Sequence, residues 1–147
     1  MSRAFVKEND GPEPVLDRPV SSAPNYVTPR GLVLLREALA RADASDDERE
    51  RRYFADRIAS AIVVEPSSST RGIVEFGATI VARDARGARL VVRIVGEDEA
   101  DPLHGTISWE SPIARAFTDH RVGDRVTVAR PAGPMLYTIE EIRYDEG

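Results

Sequence analysis

Ile73-Val74-Glu75-Phe76-Gly77-Ala78-Thr79-Ile80-Val81-Ala82-Arg83, Asp84-Ala85-Arg86-Gly87 and Ala88-Arg89-Leu90-Val91-Val92-Arg93-Ile94-Val95 form the stretch that decides the fold. The first and third pieces are dense in β-branched residues, and Asp84-Ala-Arg-Gly87 between them has turn chemistry. Strand, turn and returning strand therefore read as a β-hairpin. Gly77 marks a bulge or bend in the first strand. Beyond the hairpin, Thr106-Ile-Ser-Trp109 reads as a short strand. Ser111-Pro112 opens a helix through Phe117, with Ser as N-cap and Pro at the first helical position. Arg125–Ala129 and Leu136–Ile142 read as two further strands joined by Pro131-Ala-Gly-Pro134. The C-terminal part is thus expected to be a mostly antiparallel sheet with one helix laid on it, an α+β arrangement.

Towards the N-terminus the period changes from strand to helix. Glu65-Pro-Ser-Ser-Ser-Thr-Arg-Gly72 reads as a linker. Before it, Thr28-Pro29 opens a helix whose Leu32, Leu35 and Leu39 form one apolar stripe, ending near Ala42. Asp43-Ala-Ser-Asp-Asp-Glu48 is the break, in which Ser45 and Glu48 are placed as a capping box for a second helix. That second helix carries Tyr53, Phe54, Ile58, Ala61 and Ile62 on one side and Arg51, Arg52, Asp56 and Arg57 on the other. So short a turn requires the two helices to lie antiparallel, stripe to stripe. Residues 1–27, rich in Pro, Asp, Glu and Ser, read as an extended, mostly flexible leader.

Composition narrows the function. The formal net charge is -5, so any nucleic acid contact needs a local basic patch. The chain has no cysteine, which excludes disulfides, thiolate metal sites and Cys nucleophiles. No long apolar segment follows Met1, and no apolar run reaches the length of a membrane span. A cytoplasmic protein without membrane contact is expected. Neither a Walker pattern nor G-x-G-x-x-G is present.

The residues also carry a resemblance. Gly72-Ile-Val-Glu-Phe-Gly-Ala78, Arg93-Ile-Val-Gly-Glu-Asp-Glu99, Ile107-Ser-Trp-Glu-Ser-Pro-Ile-Ala-Arg-Ala116, Arg121-Val-Gly-Asp124 and Pro131-Ala-Gly133 follow one another as in the C-terminal domain of the Gre family of transcript-elongation factors (GreA/GreB), and within it GreB. Tyr26-Val-Thr-Pro-Arg-Gly31 resembles the start of the family's first helix, and Arg51 to Pro66 the end of its second. The resemblance implies a leader over 1–27, a short helical hairpin over 28–65 and an FKBP-like domain over 70–147. It implies RNA polymerase as partner, held at the rim of the secondary channel, with nucleic acid met only indirectly and no cofactor. Family members that stimulate cleavage reach the polymerase active site with a long coiled coil whose acidic tip, spaced Asp-x-x-Glu, holds a catalytic magnesium. Here the middle of that hairpin is missing and the tip motif has no aligned counterpart. The implied protein is a non-enzymatic, polymerase-docked regulator of transcription with a truncated arm, comparable to the Rnk-type regulators.

Candidate residues follow. Glu110, Ser111 and Pro112 are the segment that the resemblance places on the channel rim, and local rules make the same residues a helix start. Asp47 and Glu50 happen to be spaced Asp-x-x-Glu, and carboxylates suit magnesium. The preferred reading is a capped helix start, with a cleavage factor using this pair as the alternative. A peptidyl-prolyl isomerase is a further alternative, prompted by the fold alone. It would need an aromatic-lined pocket, and several of the nine aromatic residues are expected on the arm or leader. Trp109 is read as core rather than interface. His104 and His120 lie in expected loops without zinc-ligand spacing. Gly96-Glu-Asp-Glu-Ala-Asp101 reads as a solvated connection.

Overall fold

The computed structural model describes residues 16–65 and 72–144. Most of the expected leader, the Ser-rich linker and the last three residues lie outside the described residues. The chain combines a helical hairpin with a curled five-stranded sheet and is α+β.

Helix α1 spans Pro29–Ala44, two residues beyond the expected end. Thr28 caps it, its Oγ1 accepting from the Gly31 amide at 2.9 Å. The buried line on α1 is Gly31, Leu35, Ala38 and Ala42, at spacings of four, three and four. Leu32 and Leu39, placed in the apolar stripe from sequence, are half-buried. The small residues bring α2 close, and the stripe rotates towards them.

Helix α2 spans Glu48–Ser60. Its N-cap is Asp47, which accepts from the Glu50 amide at 3.1 Å, and not Ser45 as expected. Ser45 instead closes α1, its Oγ donating to the Arg41 carbonyl at 2.9 Å. Asp46 between them takes φ 58, a left-handed conformation that Asp tolerates, and this makes the reversal tight. The helix also ends earlier than read. Ile62–Val63 form a strand, β2, which pairs in parallel with β1 at Tyr26–Val27. The pair joins the two ends of the hairpin at its base. Residues 16–25 contain no helix or strand, and the segment is pinned to α2: Arg18 lies 3.8 Å from the Tyr53 ring centroid, and Asp17 pairs with Arg52 at 2.7 Å.

The sheet has the order β5-β4-β3-β7-β6. Strand β3 is Thr79–Asp84, β4 Arg89–Val95, β5 Thr106–Ser108, β6 Arg125–Val128 and β7 Met135–Arg143. All neighbours are antiparallel except β4 and β5. The parallel step is made by a 3-10 turn at Pro102–His104. The β3–β4 turn is tied by Asp84, whose Oδ1 accepts from the amides of Arg86 and Ala88, both at 2.9 Å. Strand β3 starts only at Thr79: Gly77 takes φ 90, and the chain before it turns, so the expected bend at Gly77 interrupts the strand. Helix α3, Pro112–Phe117, packs on the inner face against β6. Phe117, Ile80, Ile94 and Ile139 are buried there. Each contributes about 1.5–3 kcal/mol relative to an exposed position, so this face dominates the stability of the sheet half.

Candidate functional site

The turn from Trp109 to Pro112 is rigid by construction. The Trp109 amide donates to the Val95 carbonyl at 3.0 Å and the Ser111 amide to the Ser108 carbonyl at 2.9 Å. The Glu110 amide donates to Ser108 Oγ at 3.1 Å. Ser111 Oγ accepts from the Ala114 amide at 3.3 Å, as an N-cap should. Pro112 is exposed, while Glu110 and Ser111 are half-buried. A defined acid-Ser-Pro edge results, tied by these hydrogen bonds to β4 and β5.

A second cluster joins this half of the molecule to the helical hairpin. Arg57, placed on the charged outer side of α2 from sequence, is 2% exposed. Its Nε donates to Asp98 at 2.6 Å and its Nη2 to Asn25 Oδ1 at 2.7 Å. Asn25 Nδ2 in turn donates to the Arg57 carbonyl at 2.7 Å. The Tyr53 hydroxyl donates to the other Asp98 oxygen. Beside it the Thr28 hydroxyl donates to Glu99 at 2.7 Å. The acidic loop at 96–101 is therefore no solvated connection: Asp98 and Glu99 hold the arm. Sequence reading missed this cluster. The one available signal was spacing, because Arg57 stands three residues after Phe54 and four after Tyr53, within the apolar stripe of α2.

The electrostatics agree with the geometry. Burial alone would lower the Arg57 pKa, but the hydrogen bond and charge of Asp98 outweigh it and keep the value above its usual one. Burial first, and the Asp98 hydrogen bond second, push the Tyr53 phenol up to about 12. Its folded-state value lies above the ordinary 10.0. The contribution to stability is therefore complete below pH 10 and is lost as the pH rises towards 12. In an alkaline titration followed by phenolate absorbance, one of the four tyrosines is expected to ionise after the rest. Tyr53→Phe should remove that late step; an unchanged titration would show that Tyr53 is not the protected group.

At the hairpin tip both members of the Asp-x-x-Glu pair have structural work. Asp47 caps α2, and Glu50 faces Arg18, whose Nη1 lies 2.9 and 2.7 Å from the two carboxylate oxygens. Among the described residues no group of three or more His, Cys, Asp or Glu side chains converges as a metal site would need. His104 is exposed, its Nδ1 2.5 Å from Asp101 Oδ2, and the His120 ring lies 3.2 Å from the Thr118 carbonyl. Trp109 is half-buried, with its ring edge-on to Tyr26 at 5.0 Å. It packs against the sheet core, as expected, and also meets the leader there through Tyr26. Among the described residues no helix is long and apolar enough to cross a membrane.

A family model described as transcription elongation factor GreA/GreB, C-terminal, matches residues 68–144. The transcription elongation factor GreB of Yersinia pestis is 39% identical over 97 residues, covering 66% of this chain and 57% of that protein. Against that relative the chain thus spans little more than half the length. The transcription elongation factor GreA of Alkalilimnicola ehrlichii is 35% identical over 131 residues, covering 79% of this chain and 83% of that protein. Among solved structures, the GreA factor homolog 1 protein of Thermus thermophilus aligns over 82% of this chain and 99% of its own, with 21% identity and a TM-score of 0.45.

Proposed function

Because the chain belongs to the GreA/GreB family of transcription elongation factors, we propose that it docks on bacterial RNA polymerase at the rim of the secondary channel through Glu110, Ser111 and Pro112. The clamped hairpin then occupies the channel mouth and does not stimulate transcript cleavage. The arm carries this reading. Helix α1 has 16 residues, a length of about 24 Å. Its tip carboxylates are committed to a helix cap and to Arg18. Holding magnesium there would require Glu50 to leave Arg18 and Asp47 to release the Glu50 amide. It would also require the metal to sit on a scissile phosphate that an arm of this length, docked at the rim, stops short of. With a net charge of -5, the surface as a whole repels RNA. Nucleic acid is met only inside the transcription complex.

Ser111→Glu tests the docking surface. The substitution puts a charge on the proposed contact edge, while Glu remains favourable next to a helix N-terminus. Affinity for core polymerase is expected to fall about tenfold or more, the loss of roughly 1.4 kcal/mol, with an unchanged melting curve. Equal affinity of variant and parent would remove this edge from the interface.

A further inference from the structure

A cleft of about 390 Å³ opens between the base of the arm and the sheet. Four aromatic side chains line it, Tyr26, Phe76, Trp109 and Tyr144. Of the aromatic residues expected on the arm or leader, Tyr53 and Phe54 lie on α2, while Tyr26, from the leader, lines the cleft. The rings are already arranged, with Tyr26 5.0 Å from Trp109 and 6.1 Å from Phe76. Three further lining residues are acidic, Glu65, Glu75 and Asp119, and among the described residues no Arg, Lys or His lines the cleft. None of these three carboxylates has an ion pair among the described residues. The buried Trp109 Nε1 also has no hydrogen-bond partner there.

We infer that this cleft receives an arginine side chain presented by a peptide segment of the docking partner. Aromatic faces attract a cation, and guanidinium, being planar and weakly hydrated, stacks on them better than ammonium does. The unpaired carboxylates supply the complementary charge. The orphan indole N–H is a donor and fits a main-chain carbonyl of the same segment, since a cation offers it no acceptor. The position is consistent: Trp109 directly precedes the Glu110-Ser111-Pro112 edge, so the cleft continues the proposed docking surface. The identity of the partner rests on the docking reading; the preference of the cleft for a guanidinium does not. A proline-containing peptide is the other guest that an aromatic cleft suits, but three unpaired carboxylates add nothing to its binding.

The chain has a single tryptophan, which makes the cleft its own reporter. Trp109 fluorescence is followed while N-acetyl-arginine-N-methylamide is added, then its neutral citrulline counterpart, then N-acetyl-proline-N-methylamide. A saturable change is expected with the arginine probe, with binding about tenfold weaker for citrulline. Glu75→Gln with Asp119→Asn should weaken arginine binding by a similar factor. Asn accepts the φ of 72 found at Asp119, so this variant is expected to melt like the parent. It should also bind core polymerase less tightly. Ser111→Glu should leave the arginine probe unaffected while weakening polymerase binding, which separates failure of the docking edge from failure of the cleft. The inference is overturned if no probe perturbs Trp109, if citrulline or proline binds as well as arginine, or if the carboxamide variant retains full affinity for the arginine probe. Unchanged affinity of that variant for polymerase overturns the assignment of the occupant to the docking partner.

Discussion

Arg57→Ala is expected to lower the unfolding free energy by about 3–5 kcal/mol and to loosen the arm from the sheet. The guanidinium is 2% exposed and its partner Asp98 carboxylate 13%. Removing the cation leaves Asp98 and Asn25 Oδ1 without their partner at a site where the guanidinium was almost wholly buried. The cost is mainly that of stranding these groups, and less that of the attraction lost. Asp98→Asn is the milder companion: it keeps an acceptor for Arg57 and should cost less than the deletion. Urea denaturation of the parent, each variant and the Arg57→Ala/Asp98→Ala pair gives the coupling directly, and the double variant should lose much less than the sum. The surface pair Arg83–Glu140, at 2.8 Å with both side chains at least 40% exposed, serves as control. Arg83→Ala should cost only about 0–1 kcal/mol. A loss at Arg57 no larger than at Arg83 would mean that the clamp does not hold the arm.

Gly96→Ala is the second large effect, and it acts through space rather than charge. A Cβ built at Gly96 lies 2.4 Å from the Tyr26 carbonyl oxygen and 3.4 Å from the Val27 Cα. The obstacle is backbone, so no side chain can rotate away. The Tyr26 strand is also held on its far side, where the Ile62 amide donates to the Asn25 carbonyl at 2.8 Å and the Val64 amide to the Val27 carbonyl at 2.9 Å. Either the acidic loop or β1 has to retreat, at a cost of about 1–3 kcal/mol. Because Tyr26 packs on Trp109, retreat should also expose the indole and shift its emission to longer wavelength. Gly87→Asn is the contrast. Gly87 has φ +88 and nothing within 4 Å of an added Cβ, and Asn tolerates that backbone, so stability should change by less than about 0.5 kcal/mol. A Gly96→Ala protein as stable as Gly87→Asn, with unshifted emission, would show that the loop and β1 are not in close contact.

Much of the sheet was legible in the sequence for local reasons. The Asp84–Gly87 turn carries its own hydrogen-bond acceptor, and β-branched residues flank it. Ser111-Pro112 announces α3 by capping chemistry alone. What was not legible depends on partners distant in sequence. The β1–β2 pair is two residues long on each side and parallel, so no alternation precedes it. Arg57 looked like a solvated charge because its partners, Asn25 and Asp98, stand 32 and 41 residues away. The acidic loop looked like a solvated run because nothing nearby in sequence needs its charge. Asp47 displaced Ser45 as cap because both residue types cap well, and the choice fell to Asp46, whose left-handed backbone sets where α1 ends. The docking edge was read through resemblance. Its geometry, a capped and hydrogen-bonded turn, suits that role, and its contact with polymerase is the proposal to be tested.

The central claim is a polymerase-docked factor whose arm stops short of the active site. It is tested by adding the full chain in excess to halted, backtracked transcription complexes and following the RNA 3′ end, alone and beside a long-armed Gre factor. The account predicts no cleavage above that of polymerase alone, together with inhibition of the long-armed factor that Ser111→Glu relieves. Cleavage that appears with the parent chain and vanishes in Asp47→Ala/Glu50→Ala would contradict it and make this short arm a catalytic one.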